Sequence, residues 1–202
     1  MRPIARAVAA GLLLLLVLAP AAPAQRVVAV GDLHGAYEEF LGILREAGVI
    51  DKDLAWTGGK TILVQTGDVL DRGAQSRRAL DLLMDLVDKA AKQGGEVRPL
   101  LGNHETMVMM GDLRYVSEGE YAAFAGPDSE QIRETEYQNY LKYRKQRASR
   151  QRKAGAADDK PDWMKAHPPG YFEFRRAFAP KGKYGSWLRS REAVTQVGDT
   201  VF

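Results

Sequence analysis

The stretch VVAVGDLHGAYEEF, Val27 to Phe40, decides the fold class. Val27–Val30 is apolar and valine-rich, and Gly31 stops it, so together with Arg26 it reads as a short buried strand. Tyr37 and Phe40 then open an apolar series that continues through Leu41, Leu44 and Ala47 at helical spacing. Between strand and helix stand Asp32 and His34, two groups able to bind a metal where a buried strand ends.

The same arrangement recurs downstream. Thr61–Gln65 is a second β-branched apolar run, ended by Thr66-Gly67. Ala79, Leu82, Leu83, Leu86, Val87 and Ala90 form a helical stripe, stopped by Gly94-Gly95. Glu96–Leu101 gives a third strand, with Gly102 behind it. Strands alternating with helices predict an α/β layered fold. From Tyr115 to about Lys153 the chain is polar and helix-prone, which predicts a helical insertion over one edge of the sheet, about residues 115–170 in all. Within that span Gly155–Pro169 reads as a loop. Tyr171–Ala179 suits a short helix, and Ala193–Val197 with Thr200–Phe202 a strand pair turning at Gly198-Asp199.

Each early strand ends in a polar cluster: Gly31-Asp32-Leu33-His34-Gly35, then Gly67-Asp68-Val69-Leu70-Asp71-Arg72-Gly73, then Gly102-Asn103-His104-Glu105. Ligands of open α/β sheets collect at the carboxyl ends of strands, and glycines there allow sharp turns and close approach. Asp32 and His34, two positions apart, point the same way in an extended segment and can grip one ion. Asp68 can bridge two ions, and Asn103 can give a neutral oxygen to the second. Carboxylate and imidazole donors without sulfur suit manganese, iron or zinc. Two such ions, about 3.5–4 Å apart, are the usual apparatus for in-line displacement at phosphorus.

Composition narrows the rest. The 202 residues allow one sizeable core, and the absence of cysteine excludes disulfides, thiolate metal sites and cysteine nucleophiles. Arg2 and Arg6, the apolar run Leu12–Leu18 and the small residues Ala22-Pro23-Ala24 read as a signal peptide over residues 1–24, cut after Ala24, with no stable membrane insertion afterwards. The mature chain is then exported, to a periplasm or the medium. Removing Arg2 and Arg6 leaves 27 basic against 26 acidic residues, about +1, which is no nucleic-acid signal. Lys142, Arg144, Lys145, Arg147, Arg150, Arg152 and Lys153 read as a solvated helix face. Met107, Met109 and Met110 read as a helix packing under the sheet.

GD-x-HG, GD-xx-DRG and GNHE, in that order, resemble the calcineurin-like metallophosphoesterases, in their phosphoprotein phosphatase branch. The flanks LLGNHETMVMMGDLRYV and PPGYFEFRRAFAPKGKYGSWL are similar to bacterial Shewanella-like protein phosphatases. The resemblance spans Arg26 to Phe202, read as the N-terminal part of such a domain. It implies an incomplete β-sandwich flanked by helices, with two divalent metal ions. Asp32 and His34 would bind the first ion, Asp68 would bridge, and Asn103 would bind the second and lie beside the substrate phosphate. The resemblance also implies that a hydroxide bridging the metals attacks phosphorus. His104 would protonate the leaving alkoxide, Asp71 would orient His104, and Arg72 would hold the phosphate. A poor alkoxide leaving group needs such a proton, and a guanidinium matches phosphate oxygens bidentately.

The resemblance further implies two metal-binding histidines and a phosphate-binding arginine beyond the strand that VGDTVF begins. The chain as given holds only His34, His104 and His167, and His167 has loop context. The expectation is therefore the front part of a longer enzyme, with weak second-site binding and little turnover. The expected function is hydrolysis of phosphomonoesters on phosphoprotein serine, threonine or tyrosine. The rivals are a small-molecule phosphoesterase, such as a dinucleoside polyphosphate hydrolase, and a phosphate-binding fragment without turnover.

Overall fold

Val27–Val30 (β1), Ile62–Gln65 (β2) and Glu96–Pro99 (β3) form one parallel sheet in the order β1-β2-β3. Val27 pairs with Ile62, and Ile62 with Glu96. The computed structural model that shows this describes residues 25–151 and 159–202. The leader expected over residues 1–24 lies outside the described residues, as do Arg152 and Lys153 of the basic run.

Parallel neighbours taken in chain order and joined by right-handed crossovers place both connecting helices on one face. Tyr37–Glu46 (α1) and Ser76–Ala91 (α2) are those helices. Phe40 and Leu44 of α1 and Leu80, Leu83 and Leu86 of α2 are buried in one core with Leu63 and Val97 of the sheet. On the opposite face Ile62, Val64 and Leu100 form a second small cluster with Val197 and Phe202. Gln196–Val197 (β4) and Thr200–Val201 (β5) pair antiparallel there, as expected. Strand β2 is thus buried on both faces, which explains its continuous apolar run. β1 is different. It was expected to be buried, but as the edge strand of this sheet it leaves Val27 and Ala29 exposed.

The chain after β3 forms Asn103–Met110 (α3), Glu118–Ala122 (α4), Ser129–Gln151 (α5), Lys160–Ala166 (α6), Tyr171–Phe178 (α7) and Lys183–Leu188 (α8). Phe124, Phe174, Phe178 and Tyr184 meet ring to ring at centroid distances of 4.5–5.8 Å. The Tyr184 hydroxyl donates to Asp81 Oδ1 of α2 at 2.8 Å, and Lys183 Nζ reaches the same oxygen. Arg77 Nη1 of α2 donates to Ala123 O at 2.6 Å, so the insertion docks at α2, where a position over a sheet edge was expected. α6 occupies part of the expected loop. Pro161 sits in its first turn, where a missing N–H costs nothing. Lys142, Lys145 and Arg147 are exposed, whereas Arg144 pairs with Asp159 at 2.6 Å. Met107 and Met109 are half-buried, but Met110 is 81% exposed, because Gly111 ends α3 in a left-handed turn there. Among the described residues no helix is long and apolar enough to cross a membrane.

Candidate metal centre

Three loops leave the carboxyl ends of β1, β2 and β3, and backbone contacts lock them together. The N–H groups of Leu33 and His34 both donate to the Asp68 carbonyl, at 3.0 and 2.9 Å, and Gly35 N–H donates to Val69 O at 3.0 Å. Gly73 N–H returns a bond to His34 O at 3.0 Å. The Gln65 side chain, fully buried, donates to the carbonyls of Gly31 and Gly67 at 3.2 and 2.7 Å. Gly67 and Gly102 are required by contact. A Cβ on Gly67 would lie 2.3 Å from Gly102 N, and one on Gly102 would lie 2.1 Å from Asp68 Oδ1. His34, Asp68, Asp71 and Arg72 all have left-handed backbones, with φ between 45° and 71°. Such conformations cost about 1–3 kcal/mol each and persist where surrounding structure enforces them.

Glu105 does much of that enforcing, a role sequence reasoning missed. Its fully buried carboxylate accepts four backbone N–H groups: Gly102 and Asp68 on Oε2, both at 2.8 Å, and Val69 and Leu70 on Oε1 at 2.9 and 3.1 Å. Burial pushes its carboxyl up, and these donors oppose the rise. It joins the loops after β2 and β3 into one unit.

On that frame the expected metal ligands converge. His34 Nδ1 lies 2.9 Å from the Leu70 carbonyl, so the ring donates there and Nε2 carries the lone pair. That Nε2 is buried and has no hydrogen-bond partner among the described residues. Asp32 Oδ2, from an exposed side chain, lies 3.6 Å away. The expected pairing of Asp32 with His34 therefore occurs, through a left-handed turn at His34 in place of an extended segment. His34, Asp68 and His104 each offer one ligand atom within 4.8 Å of the other two. Asn103 opens α3, is exposed, and stands between Gly102, which packs on Asp68, and His104, whose N–H donates to Asp68 Oδ1 at 2.9 Å. An orphaned buried imidazole nitrogen facing oxygen donors fits a divalent cation.

His104 joins that cluster, but its ring nitrogens already have partners. Nδ1 is 2.7 Å from Asp71 Oδ2, with both side chains buried, and Nε2 is 3.3 Å from Arg72 Nη2. A guanidinium only donates, so Nε2 accepts and the ring proton lies on Nδ1 against Asp71. Burial pushes the Asp71 carboxyl up, while the bond to His104 and the charges of His104, His34 and Arg72 pull it back. The His104 ring stands edge-on to His34 at 4.7 Å and is tilted against Tyr115 at 5.3 Å. His167 lies apart, stacked on Trp163 at 4.1 Å with Nδ1 bonded to Trp163 O. Asp32, His34, Asp68, Asp71, Arg72 and His104 are thus linked by contacts at one end of the sheet, and Asn103 follows β3 at the same end.

The family model of the calcineurin-like phosphoesterases matches residues 25–195. An uncharacterized protein of Schizosaccharomyces pombe is 45% identical over 106 residues, covering 52% of this chain and 32% of that protein. Shewanella-like protein phosphatase 2 of Arabidopsis thaliana is 46% identical over 93 residues, covering 46% of this chain and 24% of its own length. The crystal structure of a cold-active protein-tyrosine phosphatase of a psychrophilic Shewanella superposes with a TM-score of 0.58 at 27% identity, over 89% of this chain and 41% of that one. The chain therefore spans less than half the length of these proteins.

Proposed function

The chain belongs to the calcineurin-like phosphoesterase family, and from that premise we propose that it serves metal-dependent hydrolysis of phosphomonoesters. The carrying observation is His34, whose Nε2 is buried and unpartnered while Nδ1 is pinned to Leu70 O. Asp32 and His34 would hold one divalent cation, with Asp68 between it and a second held by Asn103. When bound, such ions supply Lewis acidity toward the phosphoryl group and acidify water. Manganese, iron and zinc all suit these donors.

The chain's own residues do the rest. Arg72 grips the phosphate oxygens through two N–H groups. Engaging phosphate draws its guanidinium off His104 Nε2 and frees that nitrogen. The freed Nε2 takes up a proton from solvent, giving an imidazolium that Asp71 stabilises through Nδ1, and this Nε2 proton then passes to the departing oxygen, leaving neutral His104. Protein phosphomonoesters are the proposed substrates, supported by the protein-phosphatase names of the Arabidopsis and Shewanella relatives. Export is proposed on the basic, apolar and small-residue order of residues 1–24.

Calorimetric titration with Mn2+ tests the centre. Asp68→Asn, which removes the shared anion, should weaken binding at least about tenfold; unchanged affinity would sink the assignment. His104→Asn should retain metal and slow hydrolysis of alkyl phosphates by about 10²–10⁴-fold. Phosphotyrosine and phosphoserine peptides set against a dinucleoside polyphosphate distinguish the substrate classes. Faster cleavage of the nucleotide would overturn the protein-phosphatase reading.

A further inference from the structure

Beside His104 the insertion runs alongside the loop that carries Asp71 and Arg72. Tyr115 O accepts from Arg72 N–H at 3.0 Å, and Ser117 Oγ donates to Gly73 O at 2.7 Å. Gly119 packs so closely on Ala74 that an added Cβ would lie 2.7 Å from the Ala74 Cβ. Glu120 Oε2 accepts the Ser76 N–H at 3.4 Å. Residues 115–120 thus follow residues 72–76 in register, against two left-handed residues, Asp71 and Arg72.

That seam encloses polar atoms with nothing to bind. Asp71 Oδ1, Ser76 Oγ and Glu120 Oε1 are all buried and have no hydrogen-bond partner among the described residues. All three side chains are at most 1% exposed. The Ser76 N–H ties Ser76 to Glu120, and Asp71 directly precedes Arg72, whose N–H is held by Tyr115 O, so the two backbone bonds bring these three residues to one seam. Two ionised carboxylates and one hydroxyl hold a single donor for two acceptors. A protonated Glu120 supplies the second donor and closes the count. Burial, with the Asp71 charge adding and Ser76 opposing, pushes the Glu120 carboxyl up to about 7, so below that pH it carries a proton.

We propose that Glu120 is a positioning residue for the general acid: its carboxylic proton, shared with Asp71 across the buried seam, holds the Asp71 carboxylate against His104. Its effect passes through Asp71, so the insertion becomes part of the catalytic frame. This rests on reading Asp71 and His104 as the acid pair, and its test needs no substrate.

Proton NMR of the chain shows the hydrogen-bonded His104 Nδ1 proton at low field, assigned by its loss in His104→Asn, and its exchange with water is measured. Glu120→Gln keeps a donor amide in the same shape and should leave exchange within about twofold of the wild type. Glu120→Ala should speed it about tenfold or more. Ser76→Ala, which removes the other donor, should speed it in the same direction and serves if Glu120→Ala does not fold. Equal exchange in the wild type and Glu120→Ala, or Glu120→Gln as fast as Glu120→Ala, overturns the proposal. A chain with no phosphatase activity but the expected exchange order would refute the enzymatic reading and leave this one standing.

Discussion

Glu105 and Glu120 are the same side chain, both almost completely buried, Glu105 bonded to the loops after β2 and β3 and Glu120 bonded at the start of α2. Glu105 accepts four backbone N–H groups within 3.1 Å. Glu120 accepts one at 3.4 Å and leaves its other oxygen without a partner. Burial lifts both carboxyls, but only Glu105 has donors enough to keep its charge worth burying. Identical burial therefore gives two settings: one carboxyl ties the loops together through four donors, and the other, with fewer donors, is pushed up to about 7. The metal side of the site is a closed backbone network, while the insertion side retains polar atoms to be satisfied by protonation.

The largest expected effect tests the closed side. Glu105→Ala leaves four buried N–H groups without their acceptor, at about 1–3 kcal/mol for each one left unsatisfied. Stability in urea should fall by about 4 kcal/mol or more, and Mn2+ binding should go with it, since the Asp68 backbone loses its anchor. A loss below about 1 kcal/mol would mean that the loops hold themselves, and the contrast between the two acids would dissolve.

Next comes Glu120→Gln, read against pH. The folded-state value of about 7 lies above the ordinary 4.5. The stability this group contributes is therefore fully present below about pH 4.5 and is lost as pH rises through about 7. The shift corresponds to about 3 kcal/mol between those limits. Asp71 is shifted in the same sense and keeps its own contribution in the variant. Urea unfolding should find wild type and Glu120→Gln about equal at pH 5, and the variant more stable by up to about 3 kcal/mol at pH 8. A constant difference across that range would show that Glu120 is ionised throughout.

The two sides also differ in how far they could be read from the chain. Asp32, His34, Asp68, Asn103 and His104 were legible because glycine turns and metal donors follow each predicted strand at short range. The sheet and the helices α1 and α2 were legible for the same local reason. Glu105 stands in the GNHE motif, yet its role was hidden, because three of its partners are backbone groups 35–37 residues away. Glu120 gave no signal at all: one glutamate in a polar helical stretch looks solvated until α4 is docked on the loop after β2. The exposure of Val27 and Ala29 depends on which strands pair, and a valine run does not say whether it lies at an edge. Pro161 and the pair Pro168-Pro169 look like helix breakers, yet the first fits a helix start and the others follow the helix end.

The smallest expected effect asks whether the insertion can loosen without disturbing the sheet. Ser117 caps α4 by accepting the Glu120 N–H at 3.1 Å, and it donates to Gly73 O at 2.7 Å. Ser117→Ala should cost about 1 kcal/mol, the usual loss for a helix cap. If the insertion is a separate cooperative unit, that loss appears as faster hydrogen exchange at Glu120 and Tyr121, whose N–H groups bond to Ser117, while amides of β2 keep their protection. Because Gly73 N–H also bonds to His34 O, a loosened Gly73 has a direct route to the metal side. Faster exchange at both Tyr121 and Val64 would show that the loops after β1 and β2 transmit the change. The closed network around Glu105 would then not be insulated from the insertion that flanks it.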